Sequence, residues 1–323
     1  MFVMDERYYS VILIIALFFA AETRKTGCPP KEDLPECVCA SSDWMMCKNI
    51  MTPHQLLSIT NVLSDYTVNI LDIFDSELMY LPNGMFKNLP ITHLKILSCS
   101  VYGWESEDGN IAFAGAEESL NYIRLFRVKG IKSWNWSVFA ALKNLQNLDI
   151  IRSELGPIGE NFKQIPYKIL ESLAISNCEI DYIEPHAFSM YENLKLLSLE
   201  NLNLTEVHRS MLPTMARRLE SISFIGNRLS NLPKDIFTNM PALEAVYLNN
   251  NHFHHLPFEV VKPIIHNKDW RVVLMENDVY CCSDMAWVIP FRLKVPAICK
   301  FPKKLRGYQL GLLRKADFDH GIC

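Results

Sequence analysis

Hydrophobic positions in this chain recur in one frame. Its clearest copy runs Leu243, Val246, Leu248, Asn251, Phe253, Leu256, Pro257. The frame also fits Leu219, Ile222, Phe224, Asn227, Leu229, Leu232 and Pro233, then Leu194, Leu197, Leu199 and Leu204, then Leu170, Leu173, Ile175, Cys178 and Ile180. Further copies begin at Leu145, Leu120, Ile91 and Val68, and a degenerate last one begins at Asp269. The nine starts are separated by 23, 29, 25, 25, 24, 25, 24 and 26 residues. An apolar–x–x–apolar–x–apolar run predicts a short strand with apolar side chains inward and the intervening ones outward. A coil of ~25 residues cannot bury its own apolar face, so the copies are expected to stack into a solenoid with a continuous core.

One column inside the frame needs a polar side chain. Where the chain bends out of each strand, an inward-turned Asn amide can satisfy backbone groups that a hydrophobic residue cannot. That column reads Ser76, Cys99, Val128, Ser153, Cys178, Leu202, Asn227, Asn251 and Asn277, well kept only toward the C-terminus. Cys99 and Cys178 lie three copies apart, roughly 14–15 Å at strand spacing, too far for a disulfide and consistent with inert core thiols.

The chain of 323 residues is 49% hydrophobic and 21% charged, which supplies a core and argues against disorder. A net charge of −4 and a pI near 6.2 argue against a nucleic-acid binder, and imply no single polyanionic or polycationic partner. Val11 to Ala21 is an apolar stretch of 11 residues, suited to a signal peptide cut after Thr23 and short for a membrane span; a retained anchor is the alternative. No other stretch is long enough to cross a bilayer, and no hydrophobic C-terminal tail calls for a lipid anchor. The other cysteines cluster at Cys28, Cys37, Cys39 and Cys47 and at Cys281, Cys282, Cys299 and Cys323. In a secreted chain such clusters read as disulfides, whereas the C-x-C spacing fits zinc poorly. Asn135-Trp136-Ser137 and Asn203-Leu204-Thr205 are N-glycosylation sequons, so Asn135 and Asn203 are the expected carbohydrate sites.

Together the frame and the flanking cysteines resemble leucine-rich-repeat proteins. The implied fold is an α/β solenoid: a leucine-rich-repeat horseshoe of about nine repeats, with a parallel concave sheet and disulfide caps at both ends. The expected layout is a signal peptide at 1–23, an N-terminal cysteine-rich cap and first turn at 24–67, repeats at 68–276, and a C-terminal cysteine-rich cap at 277–323. The opening run from Cys28-Pro29-Pro30 to Cys37-Val38-Cys39, and the ending Cys299-Lys300-Phe301-Pro302 through Leu313, Phe318 and Cys323, resemble a group of arthropod secreted repeat proteins. These are typically described as similar to the non-catalytic subunit of Oplophorus-luciferin 2-monooxygenase. The resemblance implies an extracellular, non-enzymatic binding or stabilising subunit. It also implies pairing of Cys28 with Cys39 and of Cys37 with Cys47. At the other end Asn277, Cys281, Trp287, Cys299 and Cys323 follow the flanking-cap pattern, but the usual second cysteine falls at Ser283 and Cys282 stands beside Cys281. Pairs Cys281–Cys299 and Cys282–Cys323 are implied, with the adjacent pair leaving connectivity open.

The concave, outward positions of such a sheet are its usual binding surface. Those following the third apolar residue read Phe74, Leu97, Phe126, Ile151, Ser176, Glu200, Ile225, Asn249 and Met275, apolar and continuous over the first four. Asp72, Lys95, Arg124, Arg127, Asp149 and Arg152 lie beside them. Apolar anchors bordered by arginines have the composition of protein-binding hot spots, so the candidate site is Phe74, Lys95, Leu97, Arg124, Phe126, Arg127, Ile151 and Arg152; packing on neighbours along the sheet is the alternative. The longest repeat carries an excursion, Tyr102 to Ser119, with five carboxylates and no Lys or Arg, read as a solvated acidic loop or a partner contact.

Catalytic and cofactor readings find little support. His252-Phe253-His254-His255 lacks a helical H-E-x-x-H frame, and neither a nucleophile elbow nor a phosphate-binding glycine loop occurs. Asp317 and Asp319 sit in the C-terminal cap with no sequence sign of a cleft. The expectation is no enzyme and no cofactor: an extracellular protein-binding module, with a subunit of a secreted enzyme complex and a matrix component as alternatives. The expected partner is a protein ligand or an enzyme subunit.

Overall fold

The structure, a computed structural model, describes residues 24–318. Residues 1–23, the segment expected to be a signal peptide, and Cys323 lie outside the described residues. Five-residue strands open the chain, β1 (Cys37–Ser41) and β2 (Trp44–Lys48), followed by the helix α1 (Pro53–Leu63). Thr52 caps α1 by accepting the Gln55 N–H, and Pro53 occupies the first turn, where a missing N–H costs nothing. The repeats then supply β3 (Ile70–Phe74), β4 (Glu77–Leu78), β5 (His93–Leu97), β6 (Ser100–Val101), β7 (Tyr122–Phe126), β8 (Asn147–Ile151) and β9 (Ser172–Ser176). After these come β10 (Leu196–Glu200), β11 (Ser221–Ser223), β12 (Ala245–Tyr247) and β13 (Arg271–Val273), and the cap adds β14 (Val279–Tyr280) and β15 (Cys299–Phe301). Two one-turn helices, α2 (Gly109–Ala112) and α3 (Phe258–Val261), lie on the returning side of their coils.

The fold is the leucine-rich-repeat solenoid that the sequence frame implies. One sheet of 11 strands runs β1-β2-β3-β5-β7-β8-β9-β10-β11-β12-β13. All neighbours are parallel except β1 with β2. Each of the nine repeat strands begins two residues after its predicted start, the degenerate Asp269 copy included. The cap contributes more than a lid: β2 pairs Trp44–Lys48 with Ile70–Phe74 and carries the sheet beyond the first repeat.

The returning side is built mainly from turns and 3-10 segments such as Trp136–Ala141 and Glu160–Gln164, because most coils are too short for a full α-helix. There the core holds a second column, Phe86, Phe113, Phe139, Phe162, Phe188 and Phe237, all fully buried. Phe113 stands 5.7 Å from Phe86 and 5.5 Å from Phe139, ring centroid to centroid. The acidic excursion is tied to this column. Trp104 packs on Phe113 at 4.7 Å, and α2 with the turn that follows it delivers Ala112, Phe113 and Ala116 into the core. Its carboxylates are engaged at the rim: Glu105 accepts the Asn83 N–H at 2.7 Å, and Glu118 pairs with Lys143 at 2.5 Å.

The polar column works one coil backward. Asn227 Oδ1 accepts the N–H groups of Leu202 and Leu204, Asn251 accepts that of Leu229, and Asn277 that of Phe253. Serine does the same with one hydroxyl: Ser76 accepts from Ile50 and donates to Phe74, and Ser153 accepts from Val128 and donates to Ile151. The thiols of Cys99 and Cys178 donate to the carbonyls of Ile73 and Leu97 and of Ile150 and Ser176. Val128 and Leu202 contribute no polar side chain, but their own N–H groups are taken by Ser153 and Asn227, one coil on.

Candidate functional site

Strand alternation sends every second side chain of the large sheet to its concave face. Because the parallel strands stay in register, equivalent positions form straight rows. Phe74 pairs with Leu97, Leu97 with Phe126, and Phe126 with Ile151 across β3, β5, β7 and β8. All four side chains are half-buried, so they pack laterally and still present an apolar ridge to solvent. Beyond Ile151 the row turns polar, with Ser176 and then Glu200.

A charged row runs alongside, Asp72, Lys95, Arg124 and Asp149, again in register. Asp72 faces the concave side yet is only 2% exposed. Lys95 covers it, with Nζ 3.4 Å from Oδ1 and 4.5 Å from the Trp44 ring centroid. Burial pushes the Asp72 carboxyl upward, and the Lys95 charge only partly opposes that. A third row holds His93 and Tyr122, with ring centroids 5.3 Å apart. The Tyr122 hydroxyl donates to Asp149 at 2.7 Å, and burial together with that carboxylate pushes its pKa up to about 12. Burial, then the Lys95 charge, lowers His93.

Arg127 and Arg152 do not stand on the sheet. Each lies one residue past its strand, exposed, with φ of 53°. This left-handed position recurs once per coil, at Asn49, Asp75, Ser98, Arg127, Arg152, Asn177, Asn201, Gly226, Asn250 and Glu276. Asn and Gly, which tolerate that conformation, fill half of it; this was the available sequence signal. The two guanidiniums fold back over one ring, with Arg127 5.3 Å and Arg152 5.7 Å from the Phe126 centroid. Both also line a recess of about 340 Å³ with Lys129, Ser153, Glu154, Asn177 and Glu179. Phe126 is thus the point where apolar ridge and arginine edge meet.

Further along the sheet the relief changes. Ser172, Ala174, Ser198, Ser221 and Ser223 form the floor of a depression of about 410 Å³ that Asp149, Glu200 and Tyr247 border. Ser223 donates to Glu200, and Arg271 donates to the Tyr247 hydroxyl.

Disulfides join Cys28 to Cys39, Cys37 to Cys47 and Cys281 to Cys299, with Cα atoms 5.8, 4.0 and 5.6 Å apart. Cys282 is also disulfide-bonded, and Cys323 lies outside the described residues. Cys99 and Cys178 are buried free thiols; burial pushes Cys99 up to about 11 and raises Cys178. Of the sequons, Asn203 is exposed, while Asn135 is half-buried, caps the turn at Ser137 and donates to Glu107 at 3.0 Å. The histidines face separate partners: His254 stacks on Tyr280 at 4.4 Å, and His255 lies 4.0 Å from Asp284. Among the described residues no helix is long and apolar enough to cross a membrane.

Comparison with known proteins agrees with this architecture. Residues 107–244 match the BspA type leucine rich repeat region in 6 copies. Osteomodulin of Rattus norvegicus is 25% identical over 213 residues, covering 56% of this chain and 48% of the relative. The chain therefore spans about half the length of that curated relative. Among solved structures, a chain of the octameric complex of Latrophilin 3 (Lec, Olf), Unc5D (Ig, Ig2, TSP1) and FLRT2 (LRR) superposes with a TM-score of 0.63 at 16% identity, covering 91% of this chain and 94% of that one. A chain of the Toll–Spatzle complex of Drosophila gives a TM-score of 0.54 at 18% identity, covering 72% of this chain and 29% of that one. At these identities the structural likeness shows the fold alone.

Proposed function

We propose that this chain is a secreted binding protein that captures a protein ligand on the N-terminal half of its concave face. One observation carries the reading: Phe74, Leu97, Phe126 and Ile151 form an in-register apolar row that stays half exposed and is bordered at Phe126 by Arg127 and Arg152. An apolar ridge with arginines at its rim offers area to bury and charge to orient a partner. Lys95 and Arg124 would add orientation from the adjacent row. Both solved neighbours come from protein complexes, which is the company this reading expects.

Secretion is the second half of the proposal. Disulfides near both ends suit an oxidising compartment, with 1–23 as the cleaved leader, 24–67 and 277–323 as caps to the repeats at 68–276, and glycans on Asn135 and Asn203. No catalytic role is assigned. The same face would serve a stabilising subunit of a secreted enzyme, as in the Oplophorus-type assembly, or a matrix component.

Affinity capture of the tagged chain from its extracellular fluid, read by mass spectrometry, separates these readings. A stoichiometric enzyme points to the accessory role, and a receptor or foreign surface protein to recognition. Phe126→Asp and Arg124→Glu, each folded, are expected to lose the partner. Undiminished capture by both would place the contact elsewhere.

A further inference from the structure

The chain-wide charge hides a strong local asymmetry. Residues 292–315 contain Arg292, Lys294, Lys300, Lys303, Lys304, Arg306, Arg314 and Lys315, with no Asp or Glu. The net charge of −4 therefore divides into +8 on these 24 residues and −12 on everything else. A sum near zero says nothing about a patch, and clustered cations create a local potential that attracts polyanions.

The fold makes this stretch a rigid, exposed tip. The Cys299 N–H bonds to the Tyr308 carbonyl at 2.8 Å, Gly307 N–H to the Cys299 carbonyl at 2.9 Å, and Leu310 N–H to the Ala297 carbonyl at 2.9 Å. These bonds close a loop over Lys300–Arg306, and the Cys281–Cys299 disulfide fastens its base. Lys300, Lys303, Lys304 and Arg306 are all exposed, whereas Leu305 between them turns inward and is 7% exposed. Lys300 pairs with Asp278 at 3.0 Å, while Lys303, Lys304, Arg306, Arg292, Arg314 and Lys315 have no carboxylate side chain within ion-pair distance among the described residues. The Asp317 carboxylate is occupied by the Arg314 backbone N–H at 2.7 Å.

We propose that the Lys300–Arg306 loop is a docking site for a linear sulfated polysaccharide, separate from the concave face. Lys303, Lys304 and Arg306, unpaired and carried on an ordered backbone, match a chain of sulfate and carboxylate groups, so binding has only side chains left to order. Leu305 in this loop is buried but Phe301 is 46% exposed beside the lysines, so an anionic membrane is the competing partner, and the vesicle arm of the test separates the two. Choosing a polysaccharide over a nucleic acid rests on the proposed secretion; the electrostatic argument does not.

Heparin is the probe. The full disulfide-bonded chain should bind immobilised heparin at physiological salt and release it steeply as salt rises. Combined Lys303→Ala, Lys304→Ala and Arg306→Ala should weaken binding about 100-fold, whereas Lys87→Ala, Lys234→Ala and Lys262→Ala, which remove the same charge elsewhere, should change it less than about threefold. Phe126→Asp should bind heparin normally, so failure of the concave-face reading would leave this result standing. Equal losses in the two triple variants would overturn the site. Absence of wild-type binding, or binding to phosphatidylserine vesicles but not to heparin, would overturn the polysaccharide.

Discussion

Asn227 holds the coil before its own: its Oδ1 accepts the Leu202 N–H at 3.0 Å, while its Nδ2 donates to the Leu199 carbonyl at 2.8 Å. One amide therefore locks adjacent coils and satisfies the backbone N–H of Leu202, which occupies the same column one coil earlier.

Removing that amide should be costly. Asn227→Ala strands the buried N–H of Leu202 and the half-buried N–H of Leu204 and loses the bonds to Leu199 and Phe224, an expected loss of about 2–4 kcal/mol in urea unfolding. Ser153→Ala strands the Val128 N–H and should cost about half as much. Equal losses would mean that the Asn fork adds nothing beyond a hydroxyl.

Asp72 makes a pH-dependent prediction. Its folded pKa is raised by burial, so the folded state holds the proton more tightly than the unfolded chain does. Its contribution to stability is therefore fully present below the unfolded value and declines as pH rises through the folded one. Asp72→Asn should thus be neutral or stabilising at pH 7, with its advantage shrinking as pH falls toward 3. A variant markedly less stable at pH 7 would mean that the Lys95 pair outweighs desolvation.

The two core thiols should be silent. With Cys99 pushed up to about 11 and Cys178 also raised by burial, neither should react with an aromatic disulfide reagent at pH 8 until the chain unfolds. Fast labelling of the native chain would reveal local opening of those coils. Cys99→Ser should fold, since Ser76 and Ser153 hold the same column with a hydroxyl.

Arg152 should show a conflict between stability and binding. At φ 53° a non-glycine residue carries conformational strain, so Arg152→Gly should be neutral or stabilising by up to about 1 kcal/mol. The same change removes a guanidinium from the Phe126 ring and should weaken partner capture. A destabilised variant would show that the stacking outweighs the strain.

How much of this was legible beforehand depends on range. The nine repeat strands, their inward residues and the row Phe74, Leu97, Phe126, Ile151 follow from the sequence alone, because strand alternation is local and a steady repeat keeps neighbouring coils in register. The phenylalanine column, the left-handed column and the basic run at 292–315 were also written there, but a template built on leucines and a charge taken as one sum pass over them. Only the tertiary structure decided what covers what. Asp72 is buried because Lys95 and Trp44, on separate strands, close over it; β2 joins the sheet because the cap folds against the first repeat; Arg127 and Arg152 converge on Phe126 because one coil stacks on the next. A periodic sequence determines which way each side chain points. Exposure and pairing depend on side chains some 25 residues away, and only coil stacking brings those within reach.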